Sequence, residues 1–131
     1  MKIAVACTGL LAALLFALGL NVSRSRFSTS KIGSIPQDPA HPLFKAIRAH
    51  ANTAEYAPML AVLMLYLGEH SPAIGILGTM IVVTACRYLI VFGILISPTL
   101  DRPHPARFVG ALGTYAGGLV LALAALMTAL A

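Results

Sequence analysis

Charge is scarce in this chain: Asp, Glu, Lys and Arg make up 10% of 131 residues, tryptophan is absent, and only two cysteines occur. With 59% hydrophobic residues and a mean hydropathy of +0.89, a soluble domain of this length could not hide its apolar surface. Composition therefore excludes an ordinary water-soluble enzyme and points to an integral membrane protein. Cys7 and Cys86 sit in separate apolar runs, which excludes a disulfide framework and gives no zinc spacing. His41, His50, His70 and His104 are scattered rather than paired on one helix face, so no metal site is expected. A basic surface interleaved with aromatics is also missing, which argues against nucleic acid as a partner.

What is present is four apolar runs, at about 3–22, 50–67, 72–96 and 108–131. Each approaches the roughly 20 residues needed to cross the hydrocarbon core as a helix. Lipid cannot satisfy backbone amides, and the runs lack the alternation of barrel strands, so helices are the workable element. The expected fold is an all-α, up-and-down bundle of four transmembrane helices forming one domain over 1–131. The first run could alternatively be a secretory signal, but its apolar stretch is long and no small-x-small cleavage site precedes Asn21.

Basic residues set the expected orientation. The first connection, 23–49, carries Arg24, Arg26, Lys31, Lys45 and Arg48, and the third carries Arg102 and Arg107. By the positive-inside rule both lie in the cytoplasm, with the two termini on the outer side of a bacterial inner membrane. The net charge of +5 is then topological in origin. Ser23 to His41 reads as irregular loop, punctuated by Pro36, Pro39 and Pro42, with Pro42 suited to the first turn of the second helix and Asp38 or His41 near its start.

One stretch stands apart. Arg48, Asn52 and Glu55 lie at i, i+4 and i+7 at the start of the second apolar run, on one helix face. Charged groups in a span cost at least ~2.5–3.5 kcal/mol each, so they pair inside a bundle or serve a site. Arg87 lies inside the third run with apolar neighbours Leu89, Ile90 and Val91. Depths of roughly 15 Å for Arg87 and 10 Å for Glu55 from the cytoplasmic side, at 1.5 Å per residue, let the two meet. Either they form a structural ion pair holding two helices in register, or they belong to a polar pocket with Arg48 and Asn52. Gly110, Gly113, Gly117 and Gly118 give the fourth run a small-residue surface for close helix contact.

The pattern Arg48-Ala49-x-x-Asn52-x-x-Glu55-Tyr56-x-Pro58 resembles the second-helix signature of the MAPEG family, the membrane-associated proteins in eicosanoid and glutathione metabolism. Arg87, and Pro103-x-Pro105-x-Arg107-x-x-Gly110, are similar to bacterial members. The resemblance implies a homotrimer with glutathione sites between subunits near the cytoplasmic face, and glutathione as co-substrate. On this chain Arg48, Asn52, Glu55, Tyr56 and Arg87 match glutathione-contacting or signature positions, and Arg107, which resembles the arginine at the entrance of the family's fourth helix, is the first candidate to stabilise the thiolate. The chemistry suits the residue types. An arginine forks onto a carboxylate, a glutamate pairs with the ammonium group, and an asparagine serves the peptide amides. A guanidinium beside the sulfur raises the population of the nucleophilic thiolate. Arg107 has a competing role as a headgroup anchor.

One departure matters. Where eicosanoid-synthesising relatives carry tyrosines one and two turns beyond the third-helix arginine, this chain has Ile90 and Ile94. Tyr88 and Tyr115 are the candidates to compensate, against the commoner role of such residues as packing or interface anchors. Three function classes follow: a glutathione-dependent transferase or peroxidase acting on small lipophilic electrophiles arriving from the bilayer, a non-catalytic glutathione-binding or structural membrane protein, and a small four-helix transporter. The transporter class calls for an acidic residue in the first helix, and none is there.

Overall fold

The computed structural model describes residues 1–29 and 35–130, so Lys31 and Ala131 lie outside the described residues. Four helices follow in order: α1 (Lys2–Thr29), α2 (Pro42–Glu69), α3 (Ile74–Ile96) and α4 (Pro105–Leu130). The described residues contain no strand. By length and composition α1, α3 and α4 can each cross a membrane. Polar residues from Arg48 to Glu55 dilute the apolar character of α2, which packs among the others.

Two helix boundaries differ from the sequence reading. The segment Ser23–Thr29, expected as loop, continues α1. Its serines bond back along the helix rather than breaking it, Ser23 Oγ to the Gly19 carbonyl at 3.2 Å and Ser28 Oγ to the Ser25 carbonyl at 3.1 Å. Helix α2 begins at Pro42, the residue expected in its first turn, so the connection ends well before the expected bound at 49. His41 is its N-cap, with Nδ1 accepting from the Leu43 amide at 3.1 Å, while Pro42 occupies the first turn, where a missing N–H costs nothing.

Contacts along the chain make every consecutive pair antiparallel. Gly68 lies over Ala4 and Gly19 over His50, so α2 runs back along α1. On the other side, Gly93 meets Arg107, Gly110 meets Cys86 and Ile90, and Gly117 meets Val83. A Cβ on Gly110 would stand 2.6 Å from Ile90 Cγ1 and 2.9 Å from the Cys86 carbonyl oxygen. Only a hydrogen at these positions lets α4 approach the α3 backbone so closely. The small-residue surface expected on α4 thus serves contact within the chain.

Around the bundle the order is α1–α2–α4–α3. The helices α2 and α3 form the central pair, α1 packs closely on α2 and lightly on α3, α4 packs closely on α3 and lightly on α2, and α1 does not touch α4 among the described residues. Buried positions on α2 recur at three- and four-residue steps, as at Ala46, Ala49, Thr53, Ala57, Leu60 and Met64, the stripe of a helix packed on one side. Large apolar side chains such as Phe16, Leu20, Leu119, Leu123 and Met127 are exposed on the outer faces of α1 and α4, where hydrocarbon is their natural solvent. Core hydroxyls are satisfied locally: Thr53 donates to Ala49, Thr84 to Met80 and Thr114 to Gly110, at 2.8–2.9 Å.

Candidate functional site

Light packing of α4 on α2 leaves two clefts along that seam. The first, of about 340 Å³, opens at the end of the bundle where the two long connections meet. Its walls include Arg48 and Asn52 of α2, Ile90 and Ile94 of α3, and His104 and Arg107 at the start of α4. That end is tied together by Lys45, whose Nζ donates to the Ser97 carbonyl at 3.0 Å, and by the Leu100 amide, which donates to the Pro39 carbonyl at 3.3 Å. Lys45 thereby places its charge at the C-terminus of α3, where the helix dipole favours a cation. Arg107 donates through Nη1 to the Leu100 and Arg102 carbonyls, each at 3.1 Å. These bonds hold the guanidinium at the cleft wall.

The second cleft, of about 570 Å³, continues along the same seam and is mostly apolar. Glu55, Tyr56, Met59 and Leu63 line one side, and Thr114, Tyr115 and Leu119 the other. Tyr115 belongs to both clefts, and no other lining residue does.

Behind the junction sits Arg87, whose side chain is fully buried. Its Nη2 donates to the Asn52 carbonyl at 2.9 Å and to Asn52 Oδ1 at 2.8 Å, and its guanidinium carbon lies 5.1 Å from the centre of the Tyr56 ring. Tyr56 in turn pairs with Tyr115, ring centres 5.7 Å apart, with the Tyr56 hydroxyl donating to that of Tyr115 at 3.4 Å. Arg87 Nε and Nη1 have no partner among the described residues. A buried cation costs several kcal/mol unless compensated, and here the compensation is two bonds to Asn52 and the face of Tyr56.

The expected meeting of Glu55 with Arg87 does not occur. Arg87 takes Asn52, whereas Glu55, three residues on, turns about 60° around the helix at 3.6 residues per turn and is exposed on the outer face of α2. Among the described residues Glu55 makes no hydrogen bond or ion pair. The structure thus gathers Arg48, Asn52 and Arg107 around one cleft, puts Glu55 and Tyr56 in the next, and sets Arg87 behind the wall as the anchor of Asn52. Of the two compensating tyrosines, Tyr88 lies on the opposite flank, its hydroxyl donating to the Leu10 carbonyl of α1 at 2.9 Å. Cys7 and Cys86 are free thiols, and no cluster of metal-ligating side chains occurs among the described residues.

His104 was not singled out by the sequence, where it was one scattered histidine of four. The available signal was its place between Pro103 and Pro105, three residues before Arg107. Two prolines at the start of a helix hold that residue at the turn, one helical turn from Arg107. A search of curated proteins and a search of solved structures each found no match. A family model described as the MAPEG family matches residues 4–127 of the chain, and the protein, a four-helix membrane bundle, belongs to that family.

Proposed function

We propose that this protein is a glutathione-dependent membrane transferase or peroxidase that attacks small lipophilic electrophiles with the glutathione thiolate. Family membership is consistent with glutathione-related function at a membrane. The observation that carries the reading is the convergence of Arg48, Asn52 and Arg107 on one cleft that opens at the end of the bundle. In this reading Arg48 forks onto a glutathione carboxylate, and Asn52, held rigid by Arg87, bonds the peptide amides. Glu55 pairs with the ammonium group, and Tyr56 closes the wall beside it. Arg107 is the catalytic group. Its fixed charge stabilises the thiolate, while a guanidinium, always protonated, cannot itself take the proton.

The reading includes a homotrimer. A carboxylate exposed on an apolar helix face would cost at least ~2.5–3.5 kcal/mol against lipid. A neighbouring copy over the α2–α4 seam, together with bound glutathione, would remove that exposure. The lipophilic partner would arrive from the bilayer along the apolar cleft. By the distribution of Arg24, Arg26, Lys45, Arg102 and Arg107, the polar cleft would face the cytoplasm and both termini the outer side of a bacterial inner membrane.

A second reading, glutathione binding without turnover, is favoured by one observation. Ile90 and Ile94 both line the polar cleft, so the third helix offers no hydroxyl there. Turnover separates the two. Purified protein mixed with glutathione should develop the ultraviolet absorbance of a thiolate and conjugate an aryl chloride, and Arg107→Ala should lower both by about tenfold or more, as for loss of one charge-stabilising donor. Binding with neither thiolate absorbance nor conjugation would leave the second reading standing.

A further inference from the structure

We propose that His104 is the base that takes the proton of the glutathione thiol. The proposal rests on the reading that glutathione occupies the polar cleft, and it deepens that reading by naming where the proton goes. Arg107 favours the thiolate but, always protonated, accepts nothing. The other polar side chains lining that cleft are Arg48, Asn52, His104 and Tyr115. An arginine and an amide do not take up protons near neutral pH, and a phenol does so only as phenolate. Imidazole alone among these types changes charge in the physiological range.

A comparison within the chain separates this histidine from a helix cap. His41 and His104 hold equivalent places, each just before the proline that opens a helix, Pro42 in α2 and Pro105 in α4. The carbonyl of each accepts from the amide four residues on, at 3.1 Å from Lys45 and at 3.1 Å from Phe108. His41 also spends its ring on the helix, Nδ1 accepting from the Leu43 amide at 3.1 Å. His104 does not. Its Nδ1 is buried and has no hydrogen-bond partner among the described residues. A buried polar atom left unpaired calls for a reason, and a catalytic role is one of the few. Its ring, uncommitted to either tautomer by a bond at Nδ1, can present a lone pair to the cleft.

Position also gives the proton a way out. His104 lines a further space of about 210 Å³, bounded by Ser97, Thr99 and Arg102 of the connection between α3 and α4. No residue of α2 lines it, so it lies off the seam that a neighbouring copy would cover. The step balances. The S–H bond breaks with its electron pair on sulfur, the proton bonds to an imidazole nitrogen, and the imidazolium releases it to water on the connection side. The neutral ring is restored, and nothing is oxidised or reduced. A free thiol, of pKa roughly 8.5, is a weaker acid than imidazolium at roughly 6.5. The charge of Arg107 narrows that gap, and a closer match makes transfer to a base efficient.

The test follows the ultraviolet absorbance of the thiolate after rapid mixing of glutathione with purified full-length protein. His104→Gln should slow its appearance by about a hundredfold, the low end of what a positioned base contributes. Its final amplitude and the glutathione affinity should stay as in wild type, because the proton ends in water either way. Arg107→Ala should show the reverse signature, a lowered amplitude. Imidazole added to the buffer should restore the rate in His104→Gln and leave wild type unchanged. His41→Ala, which removes the ring that caps α2, should lower the thermal midpoint and leave the rate alone. An unchanged rate in His104→Gln overturns the proposal and leaves the thiolate reading standing. A slower rate that comes with lost affinity and is not restored by imidazole assigns the ring to the scaffold, and also overturns it. If wild type forms no thiolate, the reading itself fails and the proposal with it, an outcome seen in the wild-type arm alone.

Discussion

The two flanks of the central α2–α3 pair are built alike and furnished differently. On each flank an outer helix packs tightly on its neighbour in sequence and loosely on the other central helix, and the loose contact leaves a groove. Between α1 and α3 the groove, about 460 Å³, is lined by residues such as Ile3, Cys7, Leu10 and Ile81 and is almost wholly apolar. Its one tyrosine, Tyr88, is fastened to the Leu10 carbonyl. Between α2 and α4 the corresponding space carries Arg48, Asn52, Glu55, Arg107 and the paired tyrosines Tyr56 and Tyr115. Grooves therefore follow from the packing of this bundle, and only the residues that line them make one a site. Polar groups kept inside a membrane bundle cost free energy, and their concentration on one flank is what supports placing the proposed site there.

Changing the packing breaks the comparison most severely. Gly110→Ala would drive a Cβ to within 2.9 Å of the α3 backbone. Overpacking of that kind costs about 1–3 kcal/mol, and thermal unfolding in detergent should show the loss. Gly9 of α1 has nothing within 4 Å. Gly9→Ala should leave stability unchanged or raise it by roughly 0.5–1 kcal/mol, the helix-propensity gain. Equal destabilisation at both glycines would contradict the close α3–α4 approach.

A subtler change sharpens the distinction between scaffold and site. Arg87→Met removes a buried cation with unpartnered N–H groups, and such replacements are often neutral or stabilising by ~1–4 kcal/mol. Stability should hold or rise. Glutathione affinity should nevertheless fall, by about tenfold if Asn52 loses the equivalent of one positioned hydrogen bond of ~1–1.5 kcal/mol. A variant that loses stability and keeps affinity would assign Arg87 to the scaffold alone.

Much of this was legible in the residues. Four helices followed from the lengths of the apolar runs and from the demand that lipid places on backbone amides. Arg48 and Asn52 could be set on one face because their spacing is that of a helix turn. Arg107 could be set at the start of α4 because two prolines precede it. The partner of Arg87 was not legible. Asn52 and Glu55 are both within reach by depth alone, and the choice depends on how α2 is rotated against α3, a property of side-chain packing rather than spacing. The extension of α1 through Ser23–Thr29 was hidden by a loop-like composition, since serines that bond back to their own helix look in sequence like serines that end it. The position of Tyr115 where two clefts meet depends on how α2 and α4 pack, which no pattern within one helix can reveal.

The central claim is that the α2–α4 flank, and not its α1–α3 counterpart, binds glutathione. Calorimetric titration of the purified protein with glutathione tests it directly, comparing wild type with Arg48→Ala and with Tyr88→Phe. Saturable binding that weakens about tenfold or more in Arg48→Ala, the loss expected for a charged hydrogen bond of ~1.5–3 kcal/mol, and that is unaltered in Tyr88→Phe is the predicted result. Absence of saturable binding, or equal affinity in wild type and Arg48→Ala, would contradict it.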